Sequence, residues 1–447
     1  MASAVHGHGI PADDGINITR SDIGRMSLRA ILSDVKDALV IDGPVSIEYE
    51  VTRILSENQS RPVRFMDLNG FEAVGNLYST RRSMASGLGI ERDQLMAKML
   101  QAGSDPMPPT EIKDPGLWDR FEDVLDLTRL PIPKFYPGDG GRYVTSGVAI
   151  SEFEGKKNVS FHRLMLLDKD RFAVRLVPRH LYTMYRSSQA KGRDLPVAFC
   201  IGVHPSVLLA AATSTDYHQD ELEIASALHH ACLGQPLEAT RLRSGLLVPS
   251  GAEFVLEGRL TSDITEEGPF VDITGTYDDC RVQPIFQVDR LYMRRNPIFH
   301  IVLPGGLEHY LLMGLPREPM IYRAVNQVVP RVHGVRLTEG GCCWLHGVVS
   351  LTKNKEGDGV NAIMAAFTGH PSMKQVIIVD EDIDILDERQ VEWAVATRFQ
   401  AHRGLVVVNH AAGSSLDPSA HGTTSKVGID ATKPLGGKGF DLAKLPS

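Results

Sequence analysis

Between residues 144 and 294 the chain breaks into short β-type runs with turns between them: 144–153, 161–167, 172–176, 197–203, 254–260, 274–277 and 285–294. Runs this short satisfy their backbone groups only by pairing with one another. They predict a mostly antiparallel β domain, a barrel, interrupted by a helix at 221–232. On either side, helical and extended patterns alternate. Residues 27–39 carry helical spacing with Ser27 as N-cap, 45–57 reads as a helix, 63–68 as a strand, and 77–100 as helix broken at Gly87-Leu88-Gly89. A Pro-rich stretch at 102–116 reads as a linker. The last third alternates again: helices at 320–328, 361–367 and 390–397, strands at 335–337, 347–351, 376–379 and 404–409. The expected layout is an α/β domain at 1–115, a β domain at 116–315 and a second α/β domain at 316–447.

A chain of 447 residues needs more than one core. Its 43% hydrophobic and 23% charged content is that of a globular protein in water. The net charge of −8, with both signs mixed along the chain, excludes a nucleic-acid surface and a polybasic membrane anchor. No run approaches the roughly 18 apolar residues of a membrane span, and residues 1–14 do not read as a secretion signal. Five scattered cysteines without a C-x-x-C pair predict buried thiols in a reducing cytoplasm.

Chemistry-bearing residues cluster in a few stretches. Glu267 and Asp272 flank Gly268-Pro269, whose proline stops either a helix or a central strand. Two carboxylates held on one rigid turn suit proton transfer, and a solvated acidic turn has the same pattern. Arg163 enters the apolar run Leu164-Met165-Leu166-Leu167, either paired or on an exposed edge. Asn158, five residues earlier, points to the other face in extended chain unless a bend intervenes. An amide oxygen (Asn158), an imidazole (His180) and a carboxylate (Glu221, or Glu223 on the same helix start) form a mixed set that suits Mn²⁺ or Mg²⁺; spacing alone does not establish the site. The Gly138–Gly141 stretch lacks nucleotide-binding spacing.

Taken together these stretches resemble the UbiD family of prenylated-FMN-dependent decarboxylases. The resemblance runs in order through LRAILSDVKDALV (28–40), LPIPKFYPGDGGRYVTSGVAI (130–150), residues 158–163 and 178–180, VPSGAEFVLEG (248–258), EEGPFVDITGTY (266–277), VIIVDEDIDI (376–385) and TSKVGIDATKP (424–434). It implies an N-terminal α/β domain, a central split β-barrel related to flavin reductases, and a C-terminal α/β domain that dimerises. It implies Arg163, Glu267 and Asp272 as the catalytic set, with Asp272 as first choice of proton donor and Glu267 orienting Arg163. Ser160, Phe161, His162, Arg163, Arg175, Leu176 and Val177 would contact prenylated FMN. Asn158, His180 and Glu221 would hold the Mn²⁺ that ties the cofactor phosphate to the protein, with K⁺ near 211–214. Lys374 or Lys426 would reach the phosphate. Leu312-Met313 would line the substrate pocket, and the segment from Arg294-Arg295 to His300 would reach a second polar group of the substrate. The implied reaction is reversible decarboxylation of an aromatic, heteroaromatic (indole, pyrrole or furan type) or α,β-unsaturated acid, with a flavin prenyltransferase supplying the cofactor. Decarboxylation of a polyprenyl-hydroxybenzoate, or flavin binding without turnover, are the competing expectations. Phe161-His162 departs from the Ile-Tyr that often precedes the family's arginine.

Overall fold

The computed structural model describes residues 27–112, 120–122, 125–420, 422–440 and 443; side chains of 120–122 are not described. Residues 1–26 lie outside this range, as does part of the Pro-rich stretch. The fold is mixed α/β, built on three main sheets.

The first sheet has the order Leu39–Val45, Val63–Leu68, Phe71–Gly75, Ile298–Ile301. Residues 39–45 form a strand, so the helix expected over 45–57 shortens to Glu50–Glu57. Likewise the helix expected over 27–39 ends at Asp34, with Ser27 at its N-cap position but making no side-chain capping bond to the helix. The 77–100 pattern divides as expected into Arg81–Gly87 and Leu95–Ser104. Thr80 and Ser83 close a reciprocal capping box at the start of the first helix. The second helix runs into the expected linker, which then contributes a two-residue strand, Thr110–Glu111, beside Glu238–Arg241. Ile298–Ile301 pairs parallel with Phe71–Gly75, so the first sheet is completed by a distant segment.

The central sheet has nine antiparallel strands. Its path runs Tyr143–Val144, Leu164–Leu166, Arg171–Val174, Arg281–Met293, Phe254–Glu267, Leu195–Ile201, Val148–Phe153, Lys156–Phe161, with Arg120–Glu122 added on Arg281–Met293. Among the described residues the two ends of this path do not pair, so no closed barrel forms. Yet Lys156–Phe161, at one end, is followed after only His162-Arg163 by Leu164–Leu166, near the other. The three Cα–Cα steps from Phe161 to Leu164 span at most about 11 Å. The sheet therefore curls until its ends nearly meet, and Arg163 sits on the seam. Phe172, Phe199, Phe254 and Phe286 fill the inside of the curl and are fully buried.

The third sheet has the order Val332–Leu337, His346–Leu351, Gln375–Asp380, Thr424–Asp430, Leu405–Ala411. Its alternating side chains go to two cores. Val349 and Ile378 pack with Ile363 and Ala366 of the helix Asp358–Gly369. Val348 and Val379 pack with Val391 and Ala394 of the helix Glu388–Arg398. The acidic run after Gln375–Asp380 is an ion-pair anchor: Arg398, fully buried, donates to Asp380 at 3.0 Å and to Asp382 at 2.7 Å.

Candidate active site

The Arg163 guanidinium is enclosed by carboxylates. Nε and Nη2 donate to the two oxygens of Glu267 at 2.8 and 3.0 Å. Nη1 donates to Asp272 at 2.7 Å and Nη2 to Asp278 at 2.9 Å. The arginine lies face-on to Phe270, 4.6 Å from the ring centroid. Burial opposes its charge, but the bonds and charges of Glu267, Asp272 and Asp278 outweigh that and push its pKa upward.

Local folding explains the gathering. The strand Phe254–Glu267 is seven residues longer than the expected run and ends on Glu267, which is fully buried. After Gly268-Pro269 a small hairpin pairs Phe270 with Asp278 and Val271 with Tyr277. Asp272 sits just past Val271, where Gly275, at φ 73°, turns the chain back. The residues expected as a strand at 274–277 are mostly this turn. Asp139 holds the loop from outside, accepting from the backbone N–H of Tyr136 at 2.8 Å and of Val271 at 3.3 Å. A Cβ on Gly140 would lie 2.2 Å from the Gly268 carbonyl oxygen, so only glycine allows this approach.

Asp278, Asp139, Tyr143 and His309 were not singled out in the sequence. The quoted motif stops one residue before Asp278. Asp278 is shared with Arg281, and Arg175 Nε lies 3.6 Å away. Burial raises its pKa, but Arg281 and Arg163 more than offset that, and Asp278 is held below its ordinary value. Burial, then the Glu267 charge, raises the Tyr143 phenol. His309, on the helix Leu307–Gly314, feels the charges of Asp272 and Arg163, and burial lowers its pKa. Met313, one turn further along, shares that face, whereas Leu312 packs into the core.

Ser160 and His162 are linked. Ser160 Oγ lies 3.0 Å from His162 Nε2, and His162 Nδ1 lies 2.9 Å from the Arg175 carbonyl oxygen. Burial lowers His162 to about 4, so the ring is neutral. Phe161 packs against the core, Leu176 is buried and Val177 is exposed. The Leu176 N–H donates to Gln283 Oε1.

Asn158, His180 and Glu221 are brought together from a strand, a helix start and a second helix start. Asn158 Nδ2 lies 3.5 Å from both Glu221 oxygens and His180 Nδ1 lies 3.7 Å from Oε1. Glu221 also accepts from the Val159 N–H at 2.8 Å and from Thr215 Oγ1 at 2.7 Å. Glu223, two residues on, makes none of these contacts. Burial raises Glu221 to about 7 and lowers His180. A buried carboxylate beside an imidazole and an amide, with no lysine or arginine paired to it among the described residues, fits a divalent ion. Among the described residues no group of three or more His, Cys, Asp or Glu could hold a metal ion; beside His180 and Glu221 the third group here is the amide of Asn158.

Arg294 Nε is spent on the Ala252 carbonyl at 3.0 Å, and His300 is fully buried against Glu308 at 3.0 Å; neither joins the Arg163 cluster. Lys374 is paired with Asp417 at 2.9 Å, which leaves Lys426 as the lysine without a carboxylate partner. Ser214, at the end of the segment expected to bind K⁺, is engaged by Arg179 and Arg317.

Family models match consecutive stretches of the chain: the 3-octaprenyl-4-hydroxybenzoate carboxy-lyase N-terminal domain over 30–103, its Rift-related domain over 114–307, and its C-terminal domain over 310–431. The chain belongs to the UbiD family. It is a UbiD-family decarboxylase, a carboxy-lyase. The anhydromevalonate phosphate decarboxylase of Methanocaldococcus jannaschii is 45% identical over 408 residues, 89% of this chain and 95% of the relative. The phenolic acid decarboxylase of Bacillus subtilis is 33% identical over 333 residues, 70% of this chain and 69% of the relative. The UbiD-class enzyme HmfF from Pelotomaculum thermopropionicum, solved in complex with FMN, superposes with TM-score 0.90 at 36% identity, covering 94% of this chain and 97% of that one. An evolved dimeric form of HmfF in complex with prenylated FMN gives TM-score 0.87 at 33% identity. No helix among the described residues is long and apolar enough to cross a membrane.

Proposed function

We propose that the chain catalyses reversible, non-oxidative decarboxylation of an α,β-unsaturated acid carrying a phosphate ester, using prenylated FMN. The observation that carries the decarboxylase chemistry is Arg163 bound by three carboxylates, one of them more open than the rest. Asp272 is 16% exposed, against 0% for Glu267 and 5% for Asp278. The substrate class is supported by the name of the M. jannaschii relative, which denotes the phosphate of a dehydrated β-hydroxy acid. Indole, pyrrole and furan carboxylates and a polyprenyl-hydroxybenzoate are the less supported readings, because the named aromatic-acid relative is more distant.

Prenylated FMN, when bound, would supply the electron sink that loss of CO₂ from an sp² carbon requires. Ser160, Phe161, His162, Arg175, Leu176 and Val177 border the seam and would contact it. Neutral His162 fixes the Ser160 hydroxyl and the Arg175 carbonyl. Asn158, His180 and Glu221 would hold Mn²⁺ or Mg²⁺ against the cofactor phosphate, offsetting its charge. Glu267 grips Arg163 through two bonds and sets its plane. Asp278, compensated by Arg281, stays ionised and braces the other side. Asp272 is the most exposed of the three carboxylates and, among the described residues, pairs with no arginine but Arg163. It can leave Arg163 to the substrate carboxylate, carry a proton, and deliver it to the carbon as the C–C bond breaks and CO₂ departs. Solvent at its exposed edge restores the proton.

The reading includes a split β-barrel between α/β domains at 1–115 and 316–447, a flavin prenyltransferase as cofactor source, and a cytoplasmic homodimer. The dimer is supported by Leu405 and Val407, 45% and 54% exposed on the edge strand Leu405–Ala411. Holoenzyme should be presented with phosphorylated enoic acids, furan, pyrrole and indole carboxylates and 4-hydroxybenzoates, with CO₂ release and deuterium uptake recorded. Turnover confined to the aromatic acids would overturn the substrate class; flavin bound with no turnover of any acid would overturn the enzyme.

A further inference from the structure

The Gly138–Gly141 stretch, which lacks nucleotide-binding spacing, lies against the hairpin that carries Asp272 and holds it at three points. The Gly140 N–H donates to the Pro269 carbonyl at 2.8 Å, where the hairpin begins. Asp139 Oδ1 accepts from the Val271 N–H at 3.3 Å, one residue before Asp272. The Gly138 N–H donates to Tyr277 Oη at 3.0 Å, on the returning strand. Asp139 also closes its own loop: its backbone N–H donates to the Tyr136 carbonyl at 3.0 Å, and its Oδ2 accepts from the Tyr136 N–H at 2.8 Å. Tyr136 Oη in turn donates to the Pro304 carbonyl at 3.0 Å. Beside Pro304, Gly305, at φ 67°, packs on the hairpin tip. A Cβ there would lie 3.1 Å from Gly275 Cα and 3.4 Å from the Asp272 carbonyl oxygen.

Asp139 is a poor choice for stability alone. It is 4% exposed, and among the described residues no lysine or arginine forms an ion pair with it. Burial raises its pKa, and the N–H groups of Tyr136 and Val271 and the Lys134 charge offset that only in part. A buried carboxylate without a paired cation is costly; what this one contributes is a fixed acceptor for the Val271 N–H. Glu267 does not depend on it, because Glu267 ends the long strand in register with Arg281. Asp272 does. Its backbone bonds to Thr276 and Gly275 inside the hairpin tip, at 3.0 and 2.9 Å, so its place follows the hairpin's.

We propose that Asp139 is a positioning residue for the decarboxylation: with Tyr136 it fixes the hairpin, so that only the Asp272 carboxyl moves between Arg163 and the reacting carbon. This rests on the reading of Asp272 as proton donor above. Loss of Asp139 slows proton delivery, while Arg163, held by Glu267, still binds the acid.

The test uses holoenzyme carrying prenylated FMN, an acid from the panel above that wild type decarboxylates, and the variants Asp139→Asn and Tyr136→Phe. Asp139→Asn keeps the size but turns an amide N–H donor against one of the two backbone N–H groups. Its kcat should fall about tenfold or more, as expected for a misplaced donor, with KM and flavin absorbance at the wild-type level. The solvent deuterium isotope effect on kcat should rise, because proton delivery becomes the slower step. Amide exchange read by mass spectrometry should quicken in 269–278 and stay unchanged in 254–267. Tyr136→Phe removes the single bond to Pro304. It should show the same split at smaller size, and it remains informative if Asp139→Asn fails to fold. Unchanged kcat would overturn the proposal. So would a fall in kcat with raised KM, lost flavin and an unchanged isotope effect, since the role would then be structural. Near-normal turnover by Asp272→Asn would overturn the donor assignment and this proposal with it, whereas normal kcat in Asp139→Asn alone overturns only the proposal. If wild type decarboxylates no acid of the panel, the proposed function fails by itself, and exchange decides: quickening confined to 269–278 sustains the hold on the hairpin, and an unchanged hairpin overturns it.

Discussion

Arg163 gives four hydrogen bonds to three carboxylates, and this ratio separates their roles. Glu267 is fully buried and takes two of the bonds, while Asp278 is compensated by Arg281. Asp272 is the most exposed of the three and, among the described residues, pairs with no arginine but Arg163. Asp272→Asn keeps the shape and removes the proton, so turnover should fall at least about a hundredfold while the flavin spectrum stays unchanged; near-normal decarboxylation would remove Asp272 from the role. Asp278→Asn should leave Asp272 in place but loosen Arg163. A loss of about tenfold to a hundredfold in kcat/KM is expected, read by steady-state kinetics beside flavin content. His162 gives a pH prediction. Its folded value of about 4 lies below the ordinary 6.5. Between these values the unfolded chain binds more protons, so stability rises with pH across the window. It is complete above 6.5 and is lost as pH falls toward 4. His162→Gln should flatten the slope of urea stability over that interval by up to about 3 kcal/mol.

At the scale of elements, the hairpin 270–278 is presented by the long strand Phe254–Glu267 and pinned by the glycine contact beneath it. Gly140→Ala would drive a methyl into the Gly268 carbonyl oxygen, 2.2 Å from its Cβ. It should destabilise the protein by about 1–3 kcal/mol and displace Glu267 and Asp272, lowering kcat more than flavin affinity. A fully active, equally stable variant would show that the loop gives way freely. Alternation of apolar residues made the strand's first half legible. Its second half was not: Thr261, Ser262 and Asp263 are polar and half-buried or exposed, and the ladder shifts register between Leu260 and Ile264. The strand Leu39–Val45 was missed because it contains Gly43-Pro44 and alternates poorly, with most positions half-buried or exposed.

At the scale of the molecule, three distant segments supply the proposed metal site, which couples the curled sheet to two helices. Glu221→Gln or Asn158→Ala should lose Mn²⁺ and flavin together, measured by metal analysis and absorbance on the same sample; wild-type flavin without metal would disconnect the two. Sequence by itself determined the mixed α/β class, since period and turn chemistry are local. It also determined the family and the residue types at Arg163, Glu267 and Asp272, because ordered motifs survive as a string. What only the tertiary structure decided is which charges face each other. A strand's spacing places Asn158 and Arg163 on opposite faces, and the seam at His162-Arg163 undoes that. Likewise no spacing links Asp278 or Asp139 to Glu267, or Arg179 to Arg317. Electrostatic partnership depends on distance in space, and in a sheet that curls back on itself that distance is set by strands far apart in the chain.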